Sequence, residues 1–131
     1  MNNRERLQCL FDAFVAGDQE TQESLFHPDF SITESEGLPY AGTYHGIAGW
    51  WALIDKIVAT YTEFSTQPLE IIGAPDGDRF AALHRLQGRV VATGKLVDQQ
   101  IFELWVFEDE KVIKVLPFYW DTNAVAQACM G

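Results

Sequence analysis

The chain predicts an α+β fold, and three features point there. Apolar residues recur three and four apart through the first sixty positions. From Phe64 onward they alternate in twos, and short clusters of turn-forming residues separate the alternating segments. Helices followed by a run of antiparallel strands make one α+β unit. At 131 residues the chain is read as a single domain spanning 1–131, long enough for one substantial core.

Taken in order, Leu7, Leu10, Phe11, Phe14 and Val15 form the apolar stripe of a first helix that "AGD" ends at Ala16 to Asp18. A short helical turn runs through Glu23 to Phe26, and "HPD" breaks it. A first strand follows from Phe30 to Ser35. The turn-rich string "EGLPYAGTYHG" reads as a loop into a second long helix, with Ile47, Trp50, Trp51, Ile54, Ile57, Val58 and Tyr61 on its apolar stripe. Four strands come next, near Phe64 to Ile72, Arg79 to Val91, Leu96 to Phe107 and Lys111 to Tyr119. Their turns lie at "APDGD", at Ala92 to Lys95 and at "EDEK". Asp121 or Thr122 caps a final short helix, "NAVAQA".

Two strands carry chemistry on a buried face. In "DFSITES" Phe30 and Ile32 share one side, and the next position on that side is Glu34, a carboxylate among hydrocarbon. In the strand from Arg79, Phe80, Ala82, His84 and Leu86 share one face while Arg79, Arg85, Gln87 and Arg89 share the other, which turns His84 inward. Lys114 marks the solvent side of the last strand, leaving Ile113, Val115, Pro117 and Tyr119 facing in. The strand holding Glu103 is apolar on both faces, so alternation leaves Glu103 either inward or outward near Arg85 and Lys114. A sheet apolar on both faces suggests helices on one side and a second subunit on the other.

Composition excludes several classes. The formal charge is −10, no Lys or Arg occurs between Leu7 and Asp55, and eight Asp or Glu fall in that span. Nucleic acid and anionic membranes need clustered cations, so neither is expected as a partner. No apolar run approaches the ~18 residues of a membrane span, and no secretory signal is visible, so a cytoplasmic location is expected. Cys9 and Cys129 have no metal-ligand spacing and read as free thiols. The three histidines form no helical pair, so no metal site is expected. "GKL" at Gly94 to Leu96 lacks the rest of a phosphate loop, no nucleophile elbow is present, and no cofactor is implied.

The strings "FVAGDQETQESLFHPDFSITE", "GTYHGIAGWW" and "FEDEKVIKVLPFYWD", in this order, resemble the nuclear transport factor 2-like superfamily. The branch they are most similar to is that of ketosteroid isomerase and the SnoaL-like polyketide cyclases. The resemblance covers nearly the whole chain and implies a cone: a strongly curved antiparallel sheet wrapped around helices and enclosing a pocket. Carried over position by position, Glu34 matches the isomerase's general-base aspartate and Glu103 its protonated oxyanion-hole acid. His84, Trp50, Trp105 and Tyr119 match pocket-lining positions. Leu10 stands where the isomerase has its oxyanion-donating tyrosine, and both acids are Glu instead of Asp.

Such residues suit proton transfer next to a carbonyl. A desolvated carboxylate is a strengthened base, and a neutral carboxyl, an imidazole or a phenol can hold the enolate oxygen. Ketosteroid isomerase is itself the standard illustration of that pairing. The expected site therefore has Glu34, His84 and Glu103 as catalytic groups, with Trp50, Trp105, Tyr119, Phe30 and Phe80 as its walls. Trp51, about 100° around the helix from Trp50, is expected to pack on the sheet. The expected ligand is a small, apolar, neutral or weakly charged molecule, and the expected assembly a homodimer. A pocket that binds without turnover, or an association domain, are the competing functions.

Overall fold

The computed structural model describes residues 1–130. Helix α1 (Asn3–Ala16) opens on a reciprocal cap in which Asn2 and Glu5 each bond the other's backbone N–H, and it closes on Gly17 in the left-handed region at φ 71°. α2 (Gln19–Ser24) starts on Asp18. Then come β1 (Phe26–Glu34), β2 (Gly42–His45), α3 (Gly46–Thr60), β3 (Tyr61–Ile72), β4 (Arg79–Val90), β5 (Leu96–Glu108), β6 (Lys111–Tyr119) and α4 (Thr122–Ala128). Asp121 caps α4 through Ala124 N–H. No helix among the described residues is long and apolar enough to cross a membrane.

The six strands form one sheet in the order β2-β1-β6-β5-β4-β3. All neighbours are antiparallel except β1 and β6, which run parallel. The sheet does not close, since β2 and β3 remain edges. Ladder irregularities fall where curvature is needed: twice along β3, once between β5 and β6, and once between β1 and β6. The β5–β6 hairpin turns on Asp109 and Glu110, both at positive φ, the geometry a two-residue loop takes to match strand twist.

Helices α1 and α3 lie across the concave face. Phe11 of α1 meets His84 and Trp105 edge-on, and Trp50 of α3 packs on Phe26 and Phe30 of β1. Gln22 ties the three helices together. It is buried, gives its amide N–H to the carbonyls of Ala13 and Asp18, and accepts from Trp50 Nε1. Gly88 has a different task, because a Cβ there would lie 2.9 Å from the Tyr61 ring. The bare backbone lets that ring approach β4 closely.

Several expectations are corrected. "HPD" lies inside β1, which begins at Phe26 and ends at Glu34, and the preceding helix is α2 over Gln19–Ser24. Pro28 is tolerated there because the β1–β6 register shifts between Phe26 and Ser31. Part of the expected loop is the edge strand β2, and Tyr61 opens β3 instead of closing α3. Val15 and Val58 are exposed: both sit in the last turn of a helix, where apolar periodicity outlasts the surface beneath it. Ile113 falls at the β5–β6 irregularity, so Val112 takes the inward place expected for it. Trp51 reaches α2 instead of the sheet, donating from Nε1 to Glu23 at 2.9 Å. Cys9 and Cys129 are free, as expected.

Candidate active site

The floor of the concave face is built by register. Glu103 of β5 pairs with Ala82 on one side and Pro117 on the other, and the next inward row joins Tyr119, Ile101 and His84. Parity then sends Glu103, His84 and Tyr119 to the same face. Glu34 ends β1 on that face too. The β1–β6 ladder stops at Ile32 and Val115, just before Pro117, which has no N–H to give. The face of Glu103, ambiguous from alternation, is thereby settled as inward. Arg85, its alternative partner, instead holds Asp98 on the outer face with paired contacts of 3.0 and 2.8 Å.

These four residues line a cavity of about 90 Å³. Its roof is apolar, supplied by Leu10, Phe11 and Phe14 of α1 and by Trp50, Leu53, Ile54 and Ile57 of α3; Trp105 closes the far side. Ligand pockets usually run to ~300–1,000 Å³, so this one suits a small molecule or one that moves side chains aside. No Lys or Arg is in the lining.

Electrostatics divide the polar groups. Glu34 is only 4% exposed. Burial raises its carboxyl from the ordinary 4.5 to about 8, with the nearby Glu103 charge adding to the rise and the neighbouring Tyr119 hydroxyl opposing it. Glu103 accepts from Trp105 Nε1 at 3.1 Å, and its Oε1 is 2.9 Å from His84 Nε2. That His84 contact is close enough for an ion pair but off the N–H direction, and neither imidazole nitrogen has an aligned partner. A buried imidazole with open nitrogens is unusual, since buried polar atoms are nearly always satisfied.

Beside Glu34 stand three tyrosines. The Tyr40 hydroxyl is 2.6 Å from that of Tyr119 and 3.0 Å from that of Tyr61. Tyr44 donates to the Tyr40 carbonyl at 2.8 Å and anchors the segment. Burial raises all three hydroxyls of the set above the usual phenol range, for Tyr119 with the Glu34 charge as the next cause.

The sequence-predicted residues Glu34, His84, Glu103, Trp50, Trp105 and Tyr119 thus meet around one cavity. Phe30 and Phe80 do not: both are fully buried outside its lining, Phe30 against Phe26 and Trp50, and Phe80 against Phe107. Tyr40 and Tyr61 were missed as site residues. The available signal was chemical, because a buried tyrosine needs a partner for its hydroxyl.

A model of the SnoaL-like domain matches residues 7–115. The chain belongs to the SnoaL-like domain family. Solved structures with this fold include an NTF2-like protein from Burkholderia thailandensis, 21% identical over 100% of this chain and 99% of that one, TM-score 0.92. TerC, solved with polyporic acid, is 22% identical over 98% of each chain with a TM-score of 0.84. A protein from Jannaschia assigned as a SnoaL-like polyketide cyclase is 19% identical over 98% of this chain and 92% of that one, TM-score 0.81. At these identities the likeness is one of fold, the open six-stranded sheet covered by helices. A search of curated proteins finds no sequence match. Family membership is consistent with small-molecule binding and with cyclase or isomerase chemistry.

Proposed function

We propose that the cavity binds a small, largely apolar carbonyl compound and moves a proton next to the carbonyl without a cofactor. The observation that carries this reading is the buried Glu34 carboxyl sharing one cavity with an unsatisfied imidazole. With a value near 8, Glu34 holds its proton most of the time at neutral pH and donates to the carbonyl oxygen. His84, with Glu103 at Nε2 to balance an imidazolium, takes the proton from the adjacent carbon through its open Nδ1. Returning that proton to another carbon gives isomerisation; attack of the enol carbon on a second carbonyl of the same molecule, whose oxygen takes the proton as its C=O π bond opens, gives ring closure; expelling a group from the next carbon, with the proton going to the leaving group, gives a lyase. Relative to the sequence reading, Glu34 and His84 exchange base and donor roles. Glu103 is the partner of His84 Nε2 in this reading instead of the oxyanion donor. The fold's occurrence in TerC with polyporic acid and in the Jannaschia protein supports a carbonyl-bearing ligand by analogy alone.

The test is solvent-deuterium exchange into the α-position of a panel of small aryl and alkyl ketones. Wild type should accelerate exchange, and Glu34→Gln should slow it by about 10²-fold or more with little change in ligand affinity. Thermal stabilisation by these ketones without any exchange would reduce the site to a binding pocket.

A second copy of the chain is the partner we propose for the outer sheet face. Leu83, Phe102 and Phe118 form one row across β4, β5 and β6, next to Ala81, Leu104 and Leu116. Phe102 is 41% exposed, Phe118 57% and the adjoining Trp120 85%. A two-fold related copy offers the same strip, so the face is self-complementary. Sedimentation should give a dimer for wild type and a folded monomer for Phe118→Asp; a wild-type monomer at high concentration removes the proposal.

A further inference from the structure

Each hydroxyl contact among the tyrosines behind the cavity can run in either direction. Three hydroxyls, on Tyr61, Tyr40 and Tyr119, make two contacts with one another. Tyr61 reaches no acceptor besides Tyr40 among the described residues. Were Tyr40 to donate to it, the Tyr61 hydrogen would be stranded in the core, and a buried donor without an acceptor is unfavourable. The direction from Tyr61 to Tyr40 leaves no hydroxyl hydrogen of Tyr61 without an acceptor. Tyr40 has one hydrogen, and at 2.6 Å Tyr119 is where it goes. The Tyr119 hydrogen is left over, and Tyr119 lines the cavity together with Glu34.

We propose that these hydroxyls form a one-way chain, Tyr61 to Tyr40 to Tyr119, that ends by donating to one oxygen of the Glu34 carboxyl and so turns the other oxygen, with any proton it holds, toward the cavity. Tyr119 touches the reacting carboxyl; Tyr40 and Tyr61 are positioning residues that act through it. Each donor in such a chain polarises the next. The arrangement explains why a loop tyrosine is fully buried and doubly contacted, and why β4 carries glycine at 88 beneath the Tyr61 ring. It rests on the reading of Glu34 as the site's proton donor and adds the direction in which that proton is offered. Facing Glu34 are Tyr119 from β6, Glu103 from β5 and His84 from β4, with Tyr61 from β3 and Tyr40 behind; α1 and α3 contribute no charged group to the lining.

The experiment is an infrared titration of the protonated Glu34 carboxyl, identified by its loss in Glu34→Gln, on the ligand-free protein. Since no substrate is present, the result stands whether or not exchange catalysis is found. A chain that donates to Glu34 stabilises its charged form. Tyr119→Phe should then raise the titration midpoint by about one pH unit, and Tyr40→Phe should raise it by about 0.2–0.5. Both variants keep the ring, and Tyr61→Phe provides a third that should move the midpoint the same way. A merely structural hydroxyl would lower melting temperature and leave the midpoint in place. An unchanged midpoint in Tyr119→Phe, or a lowered one, overturns the proposal, because a lowered midpoint means that Glu34 donates to Tyr119.

Discussion

Glu34→Gln is expected to make the protein more stable, by an amount that grows with pH. The folded-state value of Glu34 is raised from 4.5 to about 8 by burial first and by Glu103 second. Between those two values the native chain binds a proton that the unfolded chain has released. Stability therefore falls as pH rises through the window, and the whole penalty is present above about pH 8. At roughly 1.4 kcal/mol for each pH unit, the penalty is bounded at roughly 5 kcal/mol. It is a ceiling because side chains relax and water enters when the group ionises. Below pH 4.5 both states are protonated and the variant should match wild type. Gln keeps the size of the side chain and cannot ionise, so urea denaturation midpoints measured from pH 4 to 9 should slope downward for wild type and flatten for the variant. Parallel slopes would mean that Glu34 ionises in the fold as readily as in the unfolded chain, and the proton-donor reading would go with it.

The same residue shows how much of the site was legible. Period-two alternation from Phe30 put Glu34 inward, and the alternation from Phe80 put His84 inward, because each strand has one hydrocarbon face and one polar face to contrast. Glu103 gave no such contrast: Ile101 and Trp105 on its own face are matched by Phe102 and Leu104 on the other. Its direction came only with the Ala82–Glu103–Pro117 register. Both faces of β5 are apolar because one covers the cavity and the other forms the exposed strip with Phe102. For another reason, Tyr40 reads as a surface loop residue beside the pocket mouth, yet it is fully buried. It lies in "GLPYAG", outside any period, and its burial depends on contacts with β3 and β6, distant in sequence. Phe30 and Phe80 share a face with Glu34 and His84, and alternation by itself therefore assigns them to the pocket. A curved sheet buries one face along its whole length, however, and only part of that face lines the cavity.

His84→Ala should lower the exchange rate by about 10²–10⁴-fold, the usual contribution of a positioned general base. The imidazole is 5% exposed, its Nε2 sits beside Glu103, and its Nδ1 has no partner. A residue with only a packing role would not be left in that condition, since satisfying one ring nitrogen would be favourable by about 1 kcal/mol. Truncation also opens space next to the cavity, between Phe11 and Glu103, large enough to admit a free imidazole. Added imidazole should therefore restore part of the lost rate in His84→Ala, in proportion to its concentration, and leave wild type unaffected. Glu103→Gln should also slow exchange, but imidazole should not restore it, because the missing group there is the carboxylate that steadies the base. If His84→Ala exchanges as fast as wild type while remaining folded, the base is not His84. Glu34 would then have to act as a carboxylate, with exchange rising through about pH 8 as it loses its proton.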